Sequence, residues 1–147
     1  KLLEERLDIE SITVMVQKEV ADRLTAIPGS KNTGAITYTV YYYAQASEVL
    51  TVPNYSFIPE PDVESEVIKL ELRNKPIVEI ANEEKFFKTI KYAFMQRRKT
   101  LVNALSNSGL FESKAQIENI LKDLKLDVRV RGETLTIEQY ADIANRI

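Results

Sequence analysis

The sequence predicts an α/β half followed by an all-α half, on three observations. Runs of period-two alternation, the mark of half-buried strands, occupy Ser11 to Val16, Ala35 to Tyr43, Glu48 to Val52 and Glu66 to Leu72. A polar, proline-bearing boundary, Arg73-Asn74-Lys75-Pro76, follows the last of them. Beyond it apolar residues recur at helical spacing, and helix-start signatures appear.

The elements follow in order. Lys1-Leu2-Leu3-Glu4-Glu5-Arg6-Leu7 reads as the tail of a helix already under way, and the first residue is not Met. A fragment of a longer protein is therefore expected. In Ser11 to Val16, Ile12, Val14 and Val16 share one face; Thr13 and Met15 take the other. A helix over about Gln17 to Ala26 carries Val20, Ala21 and Leu24, and Pro28-Gly29-Ser30 stops it. Lys31 to Gly34 reads as a solvated loop, with a ligand-contact role for Lys31 and Asn32 the less favoured reading. Ala35 to Tyr43 alternates as a strand, and its four tyrosines read as strand formers covering a helix rather than as a base-stacking surface. Ala44 to Ser47 suits a bend or bulge. A long helix is expected from Asn82 to about Asn107, with Gly109 as its C′ residue. Ser113 with Gln116, and Thr136 with Gln139, are capping boxes. Ile117, Ile120, Leu121 and Leu124 are the core positions behind the first, and Ile137, Tyr140, Ala141 and Ile143 those behind the second.

Composition narrows the chemistry. With no Cys and no His, disulfides, thiolate sites, histidine acid–base catalysis and histidine metal ligation are excluded. No stretch approaches the roughly 20 apolar residues of a membrane span, and no signal peptide is visible; the cytoplasm is the expected location. The net charge is only −2, but it is unevenly spread. Lys85 to Leu105 holds six basic residues and no acid, whereas Phe57 to Glu84 holds eight acids and three bases. Such a local basic stripe suits either a focused polyanion contact or a solvated helix face.

The segment Phe57-Ile58-Pro59-Glu60-Pro61-Asp62-Val63-Glu64-Ser65 is a stiff extended arm, because its prolines fix φ and remove donors. Phe57 at its head is a plug for the core or a platform for a flat ligand. Composition alone favours the plug.

Phe-x-Pro-x-Pro-x-Val-x-Ser in this arm resembles the late motif of the ribosomal RNA adenine N6-dimethyltransferases, the KsgA and Erm type. Val16-Gln17-Lys18-Glu19-Val20-Ala21-Asp22-Arg23-Leu24 with Pro28-Gly29-Ser30 resembles the segment after the fifth sheet strand of these enzymes. Gln96-Arg97-Arg98-Lys99-Thr100-Leu101-Val102-Asn103 resembles the basic helix of their C-terminal domain, and Arg131-Gly132-Glu133-Thr134-Leu135 the start of their last helix. The resemblance implies the last strands of a Rossmann-like S-adenosylmethionine methyltransferase sheet in residues 1–73. It implies a small helical rRNA-binding domain in residues 74–147. It also implies an upstream half carrying the cofactor loop and an Asn-Leu-Pro-Tyr motif, so this fragment is expected to be inactive and to bind no S-adenosylmethionine by itself. The implied partner is small-subunit rRNA or a 30S-type precursor, two adjacent adenines of which would be dimethylated. An Erm-type large-subunit enzyme and a non-enzymatic RNA-binding module are the alternatives.

The resemblance further implies that Phe57 stacks on the target base. On a continuous helix Arg97 falls on the stripe of Phe87, Ile90, Phe94, Leu101 and Leu105, Arg98 at its margin and Lys99 opposite. Arg97, although in the candidate RNA-binding set, is thus expected to pair with a carboxylate, with Glu133 as partner. Arg98, Lys99 and Lys91 are the phosphate candidates. Arg131, with Arg129, either joins them or lies on a solvated link. Gln17, Lys18 and Glu19 end a strand that points, in the family fold, towards the pocket, although helix N-terminal solvation explains Glu19 equally well. Finally, a cut edge at Ile12 to Val16 with no Lys, Pro or Gly is expected to self-associate.

Overall fold

The computed structural model describes residues 2–5 and 7–147. Two strands and a connecting arm follow a strand–helix–helix start: β1 (Ser11–Gln17), α1 (Lys18–Thr25), α2 (Ala35–Tyr43), β2 (Ala44–Val52) and β3 (Ser65–Leu72). Four helices complete the chain: α3 (Glu83–Met95), α4 (Leu101–Leu105), α5 (Lys114–Asp123) and α6 (Ile137–Ala144). Residues 2–5 form turns rather than a helix tail, and the Lys1 and Arg6 positions of that expectation lie outside the described residues.

β3 is the centre of an antiparallel sheet of order β1-β3-β2. Alternation sends Ile12, Val14 and Val16 inward with Ile68 and Leu70, where Ala21 of α1 and Val40 of α2 close a small core. Thr13 and Met15 take the opposite face. The irregularity expected at Ala44 to Ser47 is displaced. Ala44 pairs with Leu72 in regular register, and the bulge falls between Glu48 and Leu50.

Ala35 to Tyr43 is a helix, not the expected strand. Gly34 N–H donates to Thr37 Oγ1 at 2.9 Å, and Thr37 Oγ1 donates to the Arg23 carbonyl at 2.6 Å, so the first turn is tied to α1. α2 is buried on two sides. Tyr38 and Tyr42 enter the helical cluster of α3–α6, while Val40 enters the sheet-side core. The core of the helical layer therefore draws on α2 as well as on residues beyond Lys75.

Close backbone packing joins the layers. Gly29 has φ +86°, and a Cβ there would lie 3.1 Å from the Thr134 carbonyl oxygen. At Gly132 a Cβ would lie 2.5 Å from Tyr140 Oη and 2.8 Å from Ala93 Cβ. The buried Tyr38 hydroxyl donates to the Leu135 carbonyl at 2.6 Å, and that of Tyr140 to the Gly132 carbonyl at 3.0 Å. Burial pushes both phenols above their ordinary range.

The capping box expected at α6 is complete, whereas at α5 only the Ser113 half forms and Gln116 Oε1 accepts instead from the Glu112 amide at 2.7 Å. Ser113 Oγ accepts from the Gln116 amide at 3.2 Å. At Thr136 and Gln139 both bonds of the box are present, at 3.3 and 2.9 Å. The single helix expected from Asn82 to Asn107 is instead two. α3 ends at Met95, and Thr100 caps a new helix, its Oγ1 accepting from the Asn103 amide at 3.4 Å. The Leu101 amide donates to the Val130 carbonyl at 2.7 Å, a bond from a distant segment that pins the break.

Candidate target-base arm and nucleic-acid interface

The arm leaves β2 after Val52, makes a 3₁₀ turn at Asn54–Ser56 and returns to β3 at Ser65. Ser56 and Phe57 amides donate to the Pro53 and Asn54 carbonyls at 3.1 and 3.2 Å, which sets the turn that presents Phe57. Its return is fixed by the Lys18 amide, which donates to the Glu64 carbonyl at 3.0 Å. The arm thus lies beside the carboxyl end of β1, the end at which open α/β sheets hold ligands. Phe57 is half-buried, belongs to neither hydrophobic cluster and, among the described residues, packs on no other aromatic ring. Tyr55 and Ile58 beside it are exposed.

At the start of α1, Gln17 is exposed and makes no side-chain cap. Glu19 is occupied by Arg23 at 2.5 Å. Lys18 Nζ lies 2.6 Å from Asp22, 3.6 Å from Glu66 and 3.8 Å from Glu48. The hydrogen bond to Asp22 is the main reason its ammonium is held above the ordinary lysine value. In the sequence Glu64 and Glu66 read as surface carboxylates with no partner pattern; the structure corrects this for Glu66, which the fold buries against Thr51 and Lys18.

Arg97, Arg98 and Lys99 sit in the turn between α3 and α4, not on a helix. Helix spacing therefore does not separate them, yet Arg97 does pair with Glu133. Arg97 Nε donates to Glu133 Oε2, and its Nη2 donates to the Thr33 carbonyl at 3.3 Å. Arg97 thereby ties the basic turn both to the 3₁₀ turn before α6 and to the loop before α2. It remains half-exposed rather than buried. Arg98 and Lys99 are exposed and, among the described residues, make no ion pair.

The loop residues Lys31 and Asn32 line one shallow groove with Arg97, Arg23, Glu19 and Asp22. Lys31 and Asn32 are exposed, as expected of a solvated loop. Lys91 lies elsewhere, in a groove with Lys88, Glu84 and Phe87. Arg131 is exposed and next to Gly132, which brings it to the segment that Arg97 grips through Glu133. Arg129 is also exposed, its amide held by Asp127 at 2.8 Å.

The described residues do not build a cofactor cradle. Gly29 and Gly132 serve close packing, Gly34 caps α2 with only Arg23 Cδ near, and Gly109 faces open space. None forms a glycine-rich turn from strand to helix. Among the described residues no group of three or more carboxylates is arranged to hold a metal ion. No described helix is long and apolar enough to cross a membrane.

A family model described as ribosomal RNA adenine dimethylase matches residues 1–147. The chain is 48% identical over 147 residues to the ribosomal RNA small subunit methyltransferase A of Clostridioides difficile (strain 630), covering 100% of this chain and 50% of that protein. Against the protein of the same name from Bacillus cytotoxicus (strain DSM 22905 / CIP 110041 / 391-98 / NVH 391-98) it is 46% identical over 149 residues, with 100% and 51% covered. The chain thus spans about half the length of the curated relatives it matches. A solved dimethyladenosine transferase from Plasmodium falciparum shares the fold, with TM-score 0.78 and 22% identity over 97% of this chain and 58% of that one. The 23S rRNA methyltransferase ErmE does so with TM-score 0.66 and 21% identity, over 98% and 57%. The three-stranded sheet with its helices is accordingly a fold shared with rRNA methyltransferases, and the chain belongs to the ribosomal RNA adenine dimethylase family.

Proposed function

We propose that this chain is the C-terminal part of a cytoplasmic, S-adenosylmethionine-dependent enzyme that dimethylates N6 of two adjacent adenines in small-subunit rRNA. In this reading residues 1–73 are the last strands of a Rossmann-like catalytic domain. Residues 74–147 are its helical rRNA-binding domain, and a 30S-type precursor is the substrate. Whole-chain identity to proteins named for the small subunit favours that target over the large-subunit one of ErmE. The cofactor supplies the methyl group when bound, and its site lies outside these residues, in the rest of the enzyme.

The observation that carries the reading is Phe57, half-buried and outside both cores, on an arm held at the carboxyl end of β1. Adenine N6 is a poor nucleophile because its lone pair is delocalised into the ring. Catalysis is then chiefly positioning of an extruded base, and an aromatic face is what grips such a base. Arg98, Lys99 and Arg131, with Lys31 and Asn32 nearby, hold the phosphates. Lys91 lines a separate groove.

In the full-length enzyme Phe57→Ala lowers turnover by roughly 5- to 150-fold, the equivalent of one stacking contact. The rRNA affinity, which comes from many phosphates, changes by no more than about twofold. Equal losses of turnover and affinity, with a lower melting temperature, refute the base-platform role. Taken alone, the chain is further proposed to self-associate through the free edge of β1, whose one ladder is to β3.

A further inference from the structure

The base of the arm carries a buried charge that packing alone does not require. Glu66 is in the central strand, one residue past the arm's return, and its side chain is only 3% exposed. Thr51 is in β2, one residue before the last of that strand, and it pairs with Glu66 in the ladder. Thr51 Oγ1 donates to Glu66 Oε2 at 3.2 Å. The same oxygen lies 3.6 Å from Lys18 Nζ. Lys18 in turn holds the arm's return through its own amide on the Glu64 carbonyl. One buried carboxylate therefore joins the strand that enters the arm, the strand that leaves it and the helix start beneath it.

A buried carboxylate is costly unless it is paired and hydrogen-bonded, and an apolar side chain would fill this place in the sheet more stably. Among the described residues its partners come from the arm's root in β2 and from α1. We infer that Glu66, with Thr51 and Lys18, is a clasp that fixes the arm and so positions Phe57; Glu66 is a positioning residue, not a catalytic one. This rests on the base-stacking reading of Phe57. Asp22 and Glu48 face the same ammonium from α1 and β2 and keep Lys18 over the clasp.

The test uses the full-length enzyme with two changes. Glu66→Gln keeps the shape and removes the charge. Lys18→Met combined with Glu66→Leu removes both charges, so that neither is left buried alone. Hydrogen exchange is read at the Lys18, Ser56 and Phe57 amides, with α5 and α6 amides as reference. Turnover, rRNA affinity and melting temperature are measured in parallel. The expected result is faster exchange at those three amides only. Turnover falls on the order of 10- to 100-fold, as for a misplaced reacting group, with affinity and melting temperature retained. Unchanged exchange in the folded double variant overturns the clasp. Faster exchange with full turnover upholds the clasp and refutes the role of Phe57 instead.

Discussion

Arg97 separates a structural cation from a phosphate ligand, and its removal has a calculable effect. Its side chain is 49% exposed and that of Glu133 is 25% exposed, so the pair is screened by water. Such a pair contributes about 0.5–1 kcal/mol. The bond to the Thr33 carbonyl adds about 0.5–1 kcal/mol. Arg97→Ala should therefore destabilise by about 1–2 kcal/mol, a fall in melting temperature of roughly 3–8 °C for a chain of this size. A larger loss would be expected only of a buried pair. The binding assay is a titration of the small subunit by full-length enzyme at several salt concentrations between about 50 and 200 mM. Arg98→Ala and Lys99→Ala should each flatten the log–log salt slope by about 0.7–0.9 while leaving the melting temperature in place. Arg97→Ala should do the reverse. An Arg97→Ala enzyme with unchanged melting temperature and a slope reduced by about one would show that its guanidinium meets a phosphate and that the contact with Glu133 is incidental.

Three further outcomes follow from the packing. Gly132→Ala should cost about 1–3 kcal/mol by overpacking against Tyr140 and Ala93. Gly34→Ala, whose nearest neighbour is 3.6 Å away, should cost less than about 1 kcal/mol; equal losses in urea unfolding would show that the Gly132 contact relaxes freely. The buried phenols of Tyr38 and Tyr140 keep their protons in the fold, whereas unfolded tyrosine releases its proton near pH 10. Their contribution is thus full below about pH 10 and is lost as pH climbs through the raised folded values. Melts between about pH 9 and 11.5 should show this decline, and Tyr38→Phe should make it shallower; an equally steep fall in Tyr38→Phe would assign the decline to other groups. In the isolated chain, Thr13→Lys should reduce association, because a charge on an edge strand opposes pairing. Sedimentation of the unsubstituted chain as a monomer at high concentration would rule out the free edge of β1 as an interface.

Much of the local structure is written in local chemistry. The box at Thr136 and the hydroxyl cap at Ser113 are read directly, since partners three residues apart need nothing beyond their own turn. The strands at Ser11 and Glu66 are read from alternation, because one face of each is wet. The proline arm is equally legible, for Pro59 and Pro61 deny it helix or ladder by covalent geometry. The pairing of Arg97 with Glu133 was also anticipated, although through a helix face that does not exist.

Where burial is two-sided or set by a distant segment, the sequence carries no such sign. α2 is buried by Tyr38 and Tyr42 on one side and Val40 on the other, so no polar face marks a period of 3.6. Its β-branched and aromatic residues then favour a strand locally, and tertiary packing overrides that preference. The break after α3 depends on a carbonyl from a distant segment, that of Val130, and it turns Arg97, Arg98 and Lys99 out into a loop. The burial of Glu66 depends on Lys18 and Thr51 arriving from a helix and a neighbouring strand. Residue types and short spacings decided the caps, the alternation and the stiffness of the arm by themselves, because those are properties of one turn or one strand; the hand-holds between segments, which place the arm and the basic turn, exist only once the chain has brought distant groups within reach of a hydrogen bond.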